Sequence, residues 1–531
     1  MRRAARAGAA ALLVAAAGAG AAGAQERAPG PVRRPTAYED LQMFSQVLNQ
    51  IRVNHPDTVD THDLFVAAVQ AMVAAADPHS YVLPATRLTP ETARAWREGK
   101  LHPVPVRFTY VGGSPVVVGV APGSTAAGGD VLPGDELLAV DGRPVAAESE
   151  TELEISLAGA RGAPVRLTLE RRRADGSLVR LERTVKRERI AEESAVPAAF
   201  LLDAETGYVR ITTFSSSRVA DDLHRALGAL EKAGMRRLVL DLRDNGGGSV
   251  DEAAQVAGEF LPAGTVVYTS EGRKQEARQV GKVERSFWQR ERRYPIVLLV
   301  NGGTASASEL IAGALQDHDR ALVVGRTTFG KSLMMQGFPL ADGSAVMLVV
   351  GHLKTPCGRV IQRQYRGVAR RDYYRLAGEA RDTVGRPSCR TAAGRTVYGG
   401  GGIYPDAALP EAPPAPLWLA RVHEVDLPLQ WIGGYLGAHA AELATADALA
   451  ARPALPAAAL ADFRAFAARQ GVAIPAGAEA DAQLQRALVL GVAAAKWGAA
   501  GYYRVAAALD PEVAAAVAEL PRAARILAPH P

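Results

Sequence analysis

Arg237-Leu238-Val239-Leu240-Asp241-Leu242-Arg243-Asp244-Asn245-Gly246-Gly247-Gly248-Ser249 is the stretch that decides the fold. It opens as an apolar run of strand length, turns on three glycines, and continues over 249–261 as a helical pattern. The same grammar returns downstream, with a strand over 296–300, a glycine turn, a helix over 305–317 and a strand over 321–325. Upstream, 207–214 reads as a strand and 217–233 as a helix, and further strands are expected at 345–350 and 358–362. This alternation over 191–410 predicts an α/β core with largely parallel pairing.

Outward from that core the pattern changes on both sides. Residues 25–100 read as helical, with Phe44, Val47, Leu48 and Ile51 on one stripe and Phe65, Val69 and Met72 on a second. Pro78 stops the second helix, because proline disfavours helical geometry in the residue before it. Residues 101–190 hold short β-branched runs at 115–120, 136–140, 165–170 and 178–185, several of them separated by Asp-Gly turns. Beyond a Pro-rich joint at 410–416, the region 411–531 is Ala-rich and helical, with Leu460, Phe463 and Phe466 on one face. It shows no chemistry of its own; capping the core, dimerisation and adaptor binding are all open to it.

The first 24 residues read as an export signal: Arg2, Arg3 and Arg6, an apolar run, then small residues at Ala22 and Ala24. The expected compartment is periplasmic or extracellular, or the membrane surface if the segment is not removed. Setting those three arginines aside leaves 58 basic against 56 acidic residues in the chain, too even a balance for a nucleic-acid binder. Cys357 and Cys389 are the only cysteines, which excludes zinc ribbons and iron–sulfur clusters; in an oxidising compartment they are candidates for a disulfide.

Three loops of the core carry the chemistry. The glycines at 246–248 let backbone N–H groups approach a ligand at the positive end of a helix, where they can hold an oxyanion. The plainer reading is a flexible turn. In Asn301-Gly302-Gly303-Thr304-Ala305-Ser306-Ala307-Ser308-Glu309, Ser306 is a candidate nucleophile, and Ser306-x-x-Glu309 is equally a capping box. Gly325-Arg326-Thr327-Thr328-Phe329-Gly330-Lys331-Ser332 spells a phosphate-binding loop, but Gly337 and Pro339 leave no room for the helix such a loop must open. Flanked by Phe329, Leu333 and Met334, Lys331 is expected to be desolvated, which favours the neutral amine that can take a serine proton.

Together with Thr355-Pro356, Gly358-Arg359-Val360-Ile361-Gln362 and Gly402-Ile403-x-Pro405-Asp406, these loops resemble the carboxy-terminal processing (tail-specific) proteases, in the family's order over about residues 40–410. Residues 116–124 and 132–142 resemble the centre of a PDZ domain, although its glycine-rich carboxylate loop is not evident at 104–110. The resemblance implies a multi-domain α/β protein: a crotonase-like core, a PDZ-like module, a helical start and a helical extension. It also implies an exported endopeptidase that uses a Ser-Lys dyad and an acyl-enzyme, without cofactor or metal, on protein or peptide substrates with exposed C-termini.

Carried over, the nucleophile falls on Ser306, the base on Lys331, and the oxyanion donors on the N–H groups of Gly247 or Gly248 and of Ala307. A family glutamine that helps hold the lysine falls on Met335; Gln336 is adjacent, but neighbours on a strand point to opposite faces. That departure admits a weakened or inactive peptide-binding homologue, and a third reading makes His318 or His352 the base of an acyl-transfer site. Asp317 matches a family acidic position but lies about 16 Å along the helix from Ser306, so it reads as structural. A homo-oligomer or an adaptor partner is compatible with all of this.

Overall fold

The computed structural model describes residues 35–527, except 84–94, 96–99, 112–113, 122–123, 146–149, 173–176, 189–193, 285–290, 342–343, 369, 376–381 and 412. The export signal expected at 1–24 lies outside the described residues.

Helices α1 (Ala37–Asn54) and α2 (Thr61–Ala76) form where the apolar stripes predict them, and meet through Phe44 and Phe65, ring centroids 6.1 Å apart. Asp77 ends α2 by accepting the N–H groups of His79 and Ser80 and the Ser80 hydroxyl. The short strand β1 (Tyr81–Leu83) follows.

The PDZ module contains β2 (Val106–Val111), β3 (Ser114–Val120), α3 (Thr125–Gly128), β4 (Glu136–Val140), β5 (Arg143–Pro144), α4 (Glu150–Leu157), β6 (Pro164–Arg172) and β7 (Leu178–Lys186). Its antiparallel sheet runs in the order β2-β3-β4-β6-β7, leaving β2 at an edge. Val117, Leu137, Leu153, Leu157, Leu167 and Leu169 close its core.

The central sheet of the α/β core is built from β8 (Ala198–Leu201), β9 (Thr206–Arg210), β10 (Arg237–Asp241), β13 (Ile296–Val300), β14 (Leu322–Gly325) and β19 (Ala407–Ala408), in the order β19-β14-β13-β10-β9-β8. All its pairings are parallel except β8 with β9. Its central strands are apolar at almost every position because both faces are covered. On one face α5 (Val219–Lys232), α6 (Val250–Ala257) and α7 (Ala307–Asp317) pack against Leu238, Leu240, Leu298 and Val300. A second sheet joins β1, β11 (Val266–Gly272), β12 (Val280–Lys282), β15 (Leu333–Pro339) and β16 (Ala345–Lys354). Two smaller pieces follow, α8 (Arg370–Arg375) and the hairpin of β17 (Ser388–Arg390) and β18 (Thr396–Tyr398).

Two expected strands are corrected here. The strand predicted over 207–214 stops at Arg210, after which Phe214 bridges only to Gly248. Residues 358–362 form no strand: Val360 makes one bridge to Lys354, while Arg359 turns inward to pair with buried Asp317. Asp317 also accepts the Cys357 N–H at 2.9 Å, a structural use of that carboxylate. Cys357 and Cys389 are joined, with Cα atoms 6.5 Å apart, a span a disulfide bridges.

The extension comprises α9 (Leu417–Glu424), α10 (Leu427–His439), α11 (Ala446–Ala451), α12 (Ala457–Arg469), α13 (Ala478–Ala508) and α14 (Pro511–Ile526). Trp431, Phe463, Phe466, Leu484, Leu488 and Val492 give it a core of its own. Its last helix does something else. Val513, Ala516, Leu520 and Ala523 of α14 cover Val239, Val297, Leu299, Leu322 and Val324, the second face of the central sheet.

Candidate active site

The glycine loop after β10 is held by Asn245, whose side chain is fully buried. Asn245 Nδ2 donates to the Ile211 carbonyl at 3.0 Å, its own carbonyl accepts the Ala305 N–H at 2.9 Å, and its Oδ1 accepts the Gly247 N–H at 3.0 Å. The Gly247 N–H is therefore already engaged. Gly248 N–H and Ala307 N–H take no acceptor among the hydrogen bonds of the described residues. Gly247 has another role, set by close approach: at φ +95, a Cβ there would lie 2.8 Å from both Ser306 Cβ and Ala307 N. No side chain fits between this loop and the serine.

Ser306 opens α7, every residue of which is buried. Its backbone sits at φ 58, ψ −120, a sparsely populated conformation for a residue with a Cβ. The loop leading to it is laced to the glycine loop. Thr304 donates its hydroxyl to the Leu242 carbonyl at 2.9 Å. Asn301 accepts the Asp244 N–H at 2.9 Å and donates back to the Asp244 carboxylate at 2.8 Å.

The third loop is tied to Ser306 by one carboxylate. Glu309 is fully buried on the first turn of α7. Its Oε2 accepts the Ser306 N–H at 2.9 Å and the Lys331 N–H at 2.8 Å, while its Oε1 accepts the Gly330 N–H at 2.8 Å and the Thr328 hydroxyl. Burial pushes this carboxyl up to about 7, against the pull of those four donors. The capping-box spacing made Glu309 visible in the sequence, but only for its bond to Ser306; its grip on the lysine loop is long-range.

Burial also lowers the Lys331 amine from the ordinary lysine value, with the negative charges of Glu309 and Asp77 opposing the shift. A strand, β15, follows this loop, and no helix opens there to face a phosphate. Sequence reasoning missed the side chains that fix the loop from outside. Gln362 accepts the Ser332 N–H at 2.9 Å and donates to the Tyr373 hydroxyl at 3.1 Å, which also meets buried His79 at 3.0 Å. The Arg363 guanidinium lies over the rings of Phe329 and Tyr373, 4.7 and 4.1 Å from their centroids. The only signal of this buttress in the sequence is a local concentration of tyrosines over 365–374.

Met335 is half-buried on β15 opposite Val349, just past a register shift, and Gln336 is exposed opposite Leu348. Among the described residues no hydrogen bond joins either side chain to Lys331. His318 closes the far end of α7 and contacts the Val266 carbonyl at 2.8 Å. His352 lines an open cleft of about 800 Å³ with Asp77, Glu271, Arg273, Arg278 and Tyr365. Because Asp77 both lines this cleft and acts on Lys331, the cleft adjoins the lysine loop.

Comparison with known proteins matches residues 205–371 to the peptidase family S41 model and residues 116–171 to a PDZ domain model. A carboxyl-terminal-processing protease of Picosynechococcus is 32% identical over 62% of this chain and 82% of its own length. A chloroplastic C-terminal processing peptidase of Tetradesmus obliquus is 32% identical over 61% of this chain and 71% of its own. Among solved structures, a photosystem II D1 C-terminal processing protease is 26% identical and covers 73% of this chain and 92% of its own, with a TM-score of 0.33.

Proposed function

Since the chain belongs to the carboxy-terminal processing peptidases of family S41, we propose that it is an exported serine endopeptidase that cuts protein substrates in or near their C-terminal regions. Ser306 Oγ attacks the scissile carbonyl carbon while the neutral Lys331 amine takes the hydroxyl proton. The oxygen of the tetrahedral intermediate becomes negative and faces the N–H groups of Ala307 and Gly248, each such donor being worth roughly 3–4 kcal/mol in acyl transfer. Lys331 then returns the proton to the departing amine, leaving an ester on Ser306. A water molecule, deprotonated by the same lysine, attacks that ester; the acyl C–Oγ bond breaks, the lysine returns the proton to Ser306 Oγ, and the new C-terminus is released.

The observation that carries this reading is the Glu309 carboxylate, which binds the backbone N–H of Ser306 and of Lys331 at once. It ties the backbone of nucleophile and base together, and the burial that lowers the lysine amine from its ordinary value favours the neutral form that can act as a base. The PDZ module offers β2, an edge strand on which an extended substrate tail can add. Export rests on the basic and apolar residues of the first 24 positions.

The test incubates the protein, Ser306→Ala, Lys331→Ala and His352→Ala with an unstructured protein ending in small apolar residues, and reads fragments by mass spectrometry. Cleavage by the parent, lost in both variants, is the expected result. Tight capture of the tail without any fragment identifies a binding homologue instead. Cleavage that survives Lys331→Ala but not His352→Ala moves the base to the histidine.

A further inference from the structure

The reading above leaves the C-terminal extension without a catalytic part, yet one of its side chains touches two of the three active-site loops. Glu512 lies in the first turn of α14, whose N-cap is Asp510. Its Oε2 accepts from Arg243 Nη1 at 2.7 Å, and its Oε1 accepts from Arg326 Nη1. Arg243 stands immediately before the Asp244–Gly248 turn that presents the Gly248 N–H, and Arg326 stands five residues before Lys331 on the base loop.

Both arginines are otherwise anchored to the core. Arg243 also binds Asp510 at 2.7 Å and grips buried Asp241 through its backbone N–H and its guanidinium. Asp241 in turn accepts the Tyr208 hydroxyl and Arg210, each at 2.8 Å. Arg326 donates to the Pro410 carbonyl at 3.2 Å, and its backbone N–H joins the end of β13 at 3.1 Å. The two loops thus have separate roots in the sheet. A bidentate carboxylate between two guanidinium groups fixes direction as well as distance.

We propose that Glu512 is a positioning residue for catalysis: through it the extension registers the oxyanion loop against the base loop. The proposal rests on the Ser306–Lys331 reading given above. Nothing in this role requires Glu512 to touch substrate. It acts through Arg243 on where the Gly248 N–H points, and through Arg326 on where Lys331 stands. Displacing a reacting group by about 1 Å costs on the order of a hundredfold in rate, so a modest relaxation of either loop is enough to be measured.

The experiment compares the full chain with Glu512→Gln, Glu512→Asp and Arg326→Gln, and with Glu519→Gln as a control on the same helix, where the native side chain pairs with Arg522. Two readouts are taken: steady-state cleavage of the unstructured substrate, and amide hydrogen exchange over 243–249 and 326–332. Glu512→Gln is expected to lower kcat by about ten- to a hundredfold with KM within about twofold. Glu512→Asp, which keeps the charge, falls between it and the parent. Exchange should rise in both loops for Glu512→Gln, in the base loop alone for Arg326→Gln, and in neither for Glu519→Gln. Parent-like kcat and parent-like exchange in Glu512→Gln overturn the proposal, as does a loss of activity that merely follows a lower Tm with both loops unchanged. If the parent itself cuts nothing, the peptidase reading fails, and the exchange data still decide whether Glu512 holds the two loops.

Discussion

The two faces of the central sheet are covered in opposite ways. One carries α5, α6 and α7, helices that belong to the strand–helix alternation itself. The other carries α14, supplied from the far end of the chain. The first face carries the chemistry of the proposed mechanism, because Ser306 and Glu309 stand at the start of α7 and the glycine loop opens α6. No hydrogen bond or ion pair among the described residues joins α14 on the second face to Ser306 or Lys331. What it does is complete the burial of Val239, Val297, Leu299 and Val324, and bring Asp510 and Glu512 to Arg243. The core of this protein is therefore not closed by the residues matched to the family model alone. It is finished by a segment outside them.

The contrast is broken most sharply by separating activity from stability. Ser306→Ala and Lys331→Ala should each lower kcat/KM by at least about a thousandfold with Tm nearly unchanged, measured by cleavage kinetics beside thermal melts. The pH dependence follows from Lys331. Its amine is lowered below the ordinary 10.5 by burial, and only the neutral form is a base, so kcat/KM should rise with pH along a limb that sits below that value. Stability follows the same sign. Protonated Lys331 is disfavoured in the folded state, so this group costs stability at pH values below its folded pKa, and the cost relaxes as pH climbs toward 10.5. Lys331→Met should therefore gain most over the parent near pH 6 and least near pH 10, read from denaturant midpoints.

The opposite dissociation belongs to the second face. Leu520 is 1% exposed against the sheet, and truncating a leucine so placed costs about 2–5 kcal/mol. Leu520→Ala should lower the unfolding free energy by that amount while kcat of the folded fraction stays within about threefold. A collapse of kcat without a stability loss would mean that the sheet-facing apolar residues of α14, and not Glu512 alone, set the active-site loops. Smaller again is the staple at Cys357 and Cys389, which joins positions 32 apart in the chain. Replacing both by serine should cost about 2–4 kcal/mol and leave the pH profile in place.

How much of this was legible in the sequence depends on the distance over which each feature is determined. The strands 296–300 and 237–241 and the helix 307–317 follow from local apolar runs and glycine turns, and the structure has them within a residue or two. The three loops were legible for the same reason. What escaped is long-range. Glu309 looks like a helix cap until the loop at 330–331 returns to it, and Gln362 looks like the end of a strand until it meets Ser332. The Ala-rich extension was the least legible. Ala516 and Ala523 carry little sign of a buried face in a helix whose exposed side also holds alanines, at 514, 518 and 524, and only the second face of a parallel sheet demands such a cover.

The smallest expected effect concerns Met335, where the family resemblance of the sequence implies a glutamine that helps hold the lysine. If that glutamine were needed, restoring it should raise the rate sharply. Here the lysine loop is already fixed twice without it. Glu309 holds the Gly330 and Lys331 N–H groups from the nucleophile's side, and Gln362 holds the Ser332 N–H from the side of His79 and Tyr373. Met335 follows the register shift on β15 opposite Val349, half-buried, and no hydrogen bond among the described residues joins it to Lys331. Met335→Gln should accordingly change kcat by less than about threefold in either direction and leave the pH limb of Lys331 where it is. Gln362→Ala should cost more than that, because it frees a buried backbone N–H next to the base and unlinks the loop from the tyrosine buttress. Should Met335→Gln instead accelerate cleavage tenfold or more, the lysine of the native chain is held less well than these bonds imply, and the first face owes part of its order to a contact it has lost.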